Sequence, residues 1–314
     1  MHNKHRTIKL IAIILFTIIL CITIVIFHKN IKLQDKLIQP IRQEQGQKQE
    51  TNIPVTTAEE IAKTADAMAL AKANLRLATI VDPLEITYDN KIGAVIIDLS
   101  NNATATINAD QEFVTASIYK LFVAYGIYHK IDAGMLSLDK IINSNGAYRT
   151  INQCLDLMIT ISDNSCGYSL GKLYGWAELD TLLAYNGYIS TMTNNYDAYD
   201  NLTVDKHTTA NDVALLLQRL YNGDLLSKSS TDNFIGLLKA SKLNNWLPSG
   251  LPENTVIAHK VGTLYGYVHD AGIIYGTKKD IVVVLLTGQW NIPATEPLPV
   301  FITLANKVWG YMNE

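Results

Sequence analysis

The chain has 314 residues, a formal net charge of -3, and 48% hydrophobic against 18% charged residues. A near-neutral balance without an arginine-rich run excludes a nucleic-acid partner recognised by charge, and scattered histidines without ligand spacing give no metal site. What is left is an ordinary globular protein with an unusually apolar part added to it.

That part comes first. Leu10 to Phe27 is an uninterrupted run without a charge, long enough to span most of a bilayer core and preceded by Lys4, Arg6 and Lys9. Its length, and the lack of a small-x-small site after it, favour an uncleaved signal anchor over a cleaved signal peptide. Ile18, Ile19 and Leu20 lack the small residues that lipidation at Cys21 requires. Residues 1–9 then read as a short cytoplasmic tail, 10–27 as a transmembrane anchor and 28–56 as a polar tether rich in glutamine, with a short membrane-proximal helix as its alternative. Lys29, Lys32 and Lys36 follow the run, so charge alone leaves its orientation open.

Residues 57–314 read as one globular domain. Ala58 to Leu77 is alanine-rich and predicts a helix. Ile92 to Leu99 and Thr104 to Ile107 predict a hairpin turned by Asn101-Asn102. Ile118, Leu121, Phe122, Tyr125 and Tyr128 recur at helical spacing, predicting a buried helix whose first turn carries Ser117 and Lys120 on one face. A mostly helical middle follows, including Ile151 to Ile161, Ser165 to Tyr174 and Ala210 to Tyr221. Thr255 to Thr263, Gly266 to Tyr275 and Asp280 to Leu286 predict strands, and Pro297 to Met312 a closing amphipathic helix. Strands at both ends with helices between them imply an α+β fold: an antiparallel sheet flanked by terminal helices, with an all-helical lobe inserted. In that lobe Cys154 and Cys166 are either bridged or two buried thiols.

Three short motifs occur in order: Ser117-x-x-Lys120, Ser162-Asp163-Asn164 and Lys260-Val261-Gly262-Thr263. Each is common alone, and together they form a set. A serine needs a neighbouring base to become a nucleophile, and a lysine serves only when burial or nearby cations hold it neutral. On these motifs the chain resembles the serine β-lactamase-like family, closest to its class A branch, over roughly residues 57 to 312. The resemblance implies a three-layer α/β/α architecture with the active site between the lobes, and an enzyme facing the cell wall, hence an anchor with its domain outside the membrane. It also implies acylation of Ser117 with Lys120 as base, Ser162 as proton relay and Lys260 as anion anchor, Asn164 on a substrate amide, and an oxyanion held by the N–H groups of Ser117 and Thr263. Asp163 is expected to be structural. No metal or organic cofactor is expected, and the protein is expected to act as a monomer on β-lactams or peptidoglycan-like amides.

Two departures bear on activity. The family uses a loop glutamate after Ser-Asp-Asn to activate the hydrolytic water, whereas the loop of residues 191–209 contains none. It offers Asp197 as a candidate base, with Asp200 and Asp205 expected to anchor the loop, while Glu178 falls too early and Glu253 too late. Val261 stands where a hydroxyl residue would bind the substrate carboxylate, and Thr263, on the same strand face, is expected to compensate. These departures admit a penicillin-binding D,D-peptidase or slow acyl trap as the alternative to an efficient β-lactamase, and a non-catalytic wall-binding module as the rival from another class. Gly167-Tyr168-Ser169-Leu170-Gly171 also fits a hydrolase nucleophile elbow, but its glycines fall in a helical pattern with no strand leading in.

Overall fold

The computed structural model describes residues 58–195 and 205–314. The predicted tail, anchor and tether, and Asp197 and Asp200, lie outside these residues. Among the described residues no helix is long and apolar enough to cross a membrane.

Helix α1 (Ala58–Tyr88) runs eleven residues beyond its predicted end, through Pro83, and delivers the chain to strand β1 (Ile92–Asp98). With β2 (Ala103–Ile107), β7 (Ile257–Leu264), β8 (Tyr267–Ile274) and β9 (Ile281–Thr287) it forms a five-stranded antiparallel sheet in the order β2-β1-β9-β8-β7. The interior strands β1 and β9 are buried throughout, because both faces of the sheet are covered. Their side chains alternate between two cores. Val95, Ile97, Val282, Val284 and Leu286 face the helical lobe, while Ala94, Ile96, Val283 and Leu285 face α1 and the closing helix α8 (Leu298–Met312). The expected three layers follow from that alternation.

The lobe holds α2 (Tyr119–Asp132), α3 (Ile151–Thr160), α4 (Asn164–Tyr174), α5 (Trp176–Tyr185), α6 (Ala210–Asn222) and α7 (Lys228–Lys239). It is not all-helical, as the sequence suggested. A small hairpin of β4 (Ile141–Ser144) and β5 (Ala147–Thr150) projects from it, and β3 (Phe113–Val114) pairs with β6 (His207–Thr208) at its base. The hairpin turns at Asn145 and Gly146, both at positive φ, the pairing that a two-residue turn of this hand demands.

Candidate active site

Ser117 reaches the sheet through a short strand and one turn of 3-10 helix. On β8, fully buried His269 donates from Nε2 to the Val114 carbonyl at 2.7 Å, while its Nδ1 accepts from the Thr287 N–H at 3.0 Å. Burial pushes this imidazole down to about 4, against the raising pull of its backbone hydrogen bonds, so it is neutral and its tautomer is set. The tie fixes β3, and residues Ala116–Ile118 then turn into α2. Ala116 takes a φ of 45°, a left-handed conformation costly for alanine and retained where neighbours over-determine it. One such neighbour is Gly262 on β7: a Cβ there would lie 3.0 Å from the Ser117 nitrogen and 3.1 Å from the Thr115 oxygen. A side chain at 262 would push the serine off the strand.

The second motif is placed by two caps. Thr150 and Gln153 form a reciprocal capping box that starts α3, and Asp163 accepts from the Cys166 N–H to start α4. Asp163 is thus structural, as expected. Between the two helices Ser162 sits at a φ of 61°. A Cys154–Cys166 disulfide, with Cα atoms 5.0 Å apart, closes the segment that carries Ser162 and Asn164.

The side chains meet at one ammonium. Lys120 Nζ lies 2.6 Å from the Ser162 carbonyl, 2.7 Å from Asn164 Oδ1, 3.1 Å from Ser117 Oγ and 3.2 Å from Ser162 Oγ. Four acceptors exceed three protons. In the neutral form that can act as a base, the amine donates to the two closest oxygens and turns its lone pair to the Ser117 hydroxyl. Burial pushes Lys120 down to about 8, with Asp163 pulling the other way. Lys260 Nζ donates to Ser162 Oγ at 2.9 Å and to the Val261 carbonyl at 2.6 Å. Burial, then the Lys120 charge, push Lys260 down to about 7, opposed by Asp270. Ser162 Oγ accepts from Lys260, which leaves its own proton to be donated elsewhere. Ser117 itself is half-buried and open to a ligand.

So Ser117, Lys120, Ser162, Asn164 and Lys260 come together. Val261, counted from sequence among the substrate-binding residues, departs from that role: its side chain is buried in the α1–α8 core, and its carbonyl is what meets Lys260. Thr263 shares that face and is exposed toward the strand's end. Among the described residues no group of histidine, cysteine and carboxylate side chains could hold a metal ion.

The loop that carries the predicted base is held differently from the sequence reading. Asp205 is exposed rather than turned inward as an anchor. Asp180 on α5 instead accepts from the Thr193 N–H and hydroxyl at 2.7 Å and from the Asn194 N–H at 3.0 Å. Asp212 on α6 accepts from the Ser190 N–H and the Thr191 hydroxyl. Buried Lys206 donates to the Thr193 carbonyl and Asn195 Oδ1, with its ammonium 3.9 Å from the Trp176 ring centre. Burial pushes Lys206 down to about 7. None of these three residues carries a motif, and their nearest partners are remote in sequence or local backbone, so no sequence signal marked them.

The apparent nucleophile elbow is helix packing. Gly167 lets α4 approach Lys120 and Tyr119, where a Cβ would stand 2.9 Å from both side chains, and Gly171 receives the Trp176 ring.

The profile of the beta-lactamase enzyme family matches residues 76–312. Beta-lactamase VEB-1 of Pseudomonas aeruginosa is 28% identical over 216 residues, 59% of this chain and 72% of the relative. Among solved structures, PBP-A superposes with a TM-score of 0.68 at 22% identity, covering 76% of this chain and 97% of its own. An ancestral class A beta-lactamase superposes at 0.67 with 24% identity, covering 75% and 99%.

Proposed function

The chain belongs to the beta-lactamase enzyme family, and from that premise we propose that it forms an acyl-enzyme on Ser117 with β-lactams or peptidoglycan-like amides. The observation that carries this is the approach of Lys120 Nζ to both Ser117 Oγ and Ser162 Oγ inside a buried pair of lysines. Neutral Lys120 takes the Ser117 proton as the oxygen bonds to the substrate's acyl carbon. The N–H groups of Ser117 and Thr263 hold the oxyanion; β7 is an edge strand, so one row of its N–H groups is not used within the sheet. Ser162 passes its proton to the leaving nitrogen and is replenished from Lys120. Lys260 attracts the substrate carboxylate. Asn164 Oδ1 is engaged by Lys120, so its amide Nδ2 is the donor offered to a substrate carbonyl.

Breakdown of the acyl-enzyme is assigned to Asp197, in a loop without glutamate. An aspartate is one methylene shorter, and that difference favours the second reading, a penicillin-binding peptidase or acyl trap in which acylation outruns hydrolysis. The run of residues 10–27 would hold the domain on the outer face of a membrane. Intact-mass spectrometry of the chain mixed with a penicillin, beside Ser117→Ala, tests both. A persistent adduct absent from the variant means a trap, and a transient one with antibiotic turnover means a β-lactamase. No adduct on the parent chain refutes acyl-enzyme formation with β-lactams.

A further inference from the structure

A cleft of about 380 Å³ opens between the β1–β2 hairpin and α6, and it shares no residue with the cluster at Lys120. One polar side chain of its wall is buried: Asp212, in the first turn of α6, is only 6% exposed. Its Oδ2 accepts from the Ser190 N–H at 3.0 Å and from the Thr191 hydroxyl at 2.7 Å. Its Oδ1 is neither hydrogen-bonded to a described residue nor sealed in the interior, so it faces the cleft. Burial pushes this carboxyl up, its two donors pull it back, and the Asp110 charge raises it again. The N-terminal end of α6 favours the ionised form.

The rest of the polar lining is set up to accept. Asn211 Nδ2 donates to Asp110 Oδ1 and Gln218 Nε2 to Asn102 Oδ1, so the two carboxamide oxygens are left to accept from a ligand. Among the described lining residues there are two carboxylates, Asp110 and Asp212, and no lysine, arginine or histidine. A buried carboxylate that no cation faces is costly, and a bound cation removes that cost. The floor is apolar, formed by Val95, Ile97, Ala214 and Leu215. Two carboxylates over such a floor suit an organic cation with a hydrocarbon stem rather than a metal ion, and among the described residues no group of three ligands could hold a metal.

We propose that this cleft binds a primary aliphatic amine in its ammonium form, with the head group on Asp212 Oδ1 and the stem along Val95 and Ile97. The site is independent of the acyl-transfer reading and stands or falls without it. The full chain is titrated calorimetrically with n-butylammonium, with 1-butanol, which has the stem without the charge, and with butyltrimethylammonium, which has the charge without protons to donate. Only n-butylammonium should bind measurably. Asp212→Asn keeps the size of the side chain and an oxygen for Ser190 and Thr191, and it should weaken binding by about 10- to 100-fold, the range of a hydrogen bond to a charged group. Gln218→Leu removes a neutral acceptor from a half-buried position and should weaken it by about two- to tenfold. The thermal midpoint of each variant, read without ligand, shows that the loss is one of binding and not of fold. No heat with n-butylammonium, equal binding of either control compound, or an affinity unchanged in folded Asp212→Asn overturns the site.

Discussion

His259 and Lys260 are neighbours on β7, both buried, and they meet opposite fates. His259 points to the back of the sheet, where Nδ1 lies 2.8 Å from Asp270 Oδ1 and Nε2 lies 3.1 Å from Asn244 Oδ1. The other Asp270 oxygen accepts from the Leu247 N–H at 3.0 Å. Each polar atom there has a partner, and the cluster ties the segment around residues 244–247 to the sheet. Lys260 points to the front, where its hydrogen-bond partners are a hydroxyl and a carbonyl and the charge that acts on it most strongly is a second lysine. A buried base matched by a carboxylate holds backbone in place. Buried cations held by neutral oxygens give up protons readily, which is the property acyl transfer draws on.

If the two faces are so divided, substitutions should separate rate from stability. The largest effect is expected for Lys120→Met. Acylation of Ser117 by a penicillin, followed by rapid-quench mass spectrometry, should slow by about 10²–10⁴-fold, the range of a lost general base, with a far smaller change in thermal midpoint. Asp270→Ala should do the reverse. It leaves a buried polar group without its partner, costing about 3–5 kcal/mol, or roughly 6–20 °C in Tm for a domain of this size, while acylation at 25 °C changes much less. Similar losses of rate and stability in both variants would mean that the strand works as one unit and that the division is wrong.

This division was only half legible in the sequence. The three motifs named every side chain around Lys120 Nζ, because each is local and the residues have to share one place for the chemistry to work. Strand alternation and helical spacing likewise placed β7, β8, β9 and α8 within a residue or two. The partners of His259 were hidden, since a histidine on a strand does not announce whether an aspartate eleven residues on will face it. Val261 was misassigned for a related reason: a motif position tells which residue type stands there, and only register tells which core takes its side chain. The β4–β5 hairpin was missed although Asn145-Gly146 is a strong turn signal. Its strands, Ile-Ile-Asn-Ser and Ala-Tyr-Arg-Thr, are short and largely uncovered, so they lack the apolar alternation that marks a strand.

A pH series sharpens the front face alone. The saturating acylation rate should rise as pH climbs through about 8, where Lys120 loses its proton, while affinity for a carboxylate-bearing penicillin weakens above about 7 as Lys260 does the same. Stability should follow with a definite sign. The folded protein binds the Lys120 proton less tightly than the unfolded chain, whose lysine keeps its ordinary value near 10.5, so stability rises with pH between about 8 and 10.5. Lys120→Met should flatten the rate profile and make that part of the stability curve less steep, the remaining slope coming from Lys206 and Lys260, which are also held below the ordinary lysine value. A rate profile that stays level from pH 6 to 9 would remove Lys120 from the role of base.

The smallest effect is expected where a carboxylate is present in the lobe and already spoken for. Glu178 on α5 pairs with Lys130 on α2 at 2.9 Å, and the same ammonium donates to the Tyr174 carbonyl and lies 4.0 Å from the Tyr174 ring centre. The glutamate is largely exposed, so Glu178→Gln should cost no more than about 1 kcal/mol in denaturant unfolding. Its bearing on function is sharper than its size. If the lobe's only task here is to hold α2 and α5 together, the lifetime of the penicillin adduct on Ser117 is the same in the variant as in the parent. A longer-lived adduct would show that Glu178 reaches the hydrolytic water after all, and the deacylating carboxylate would then belong to the lobe rather than to Asp197.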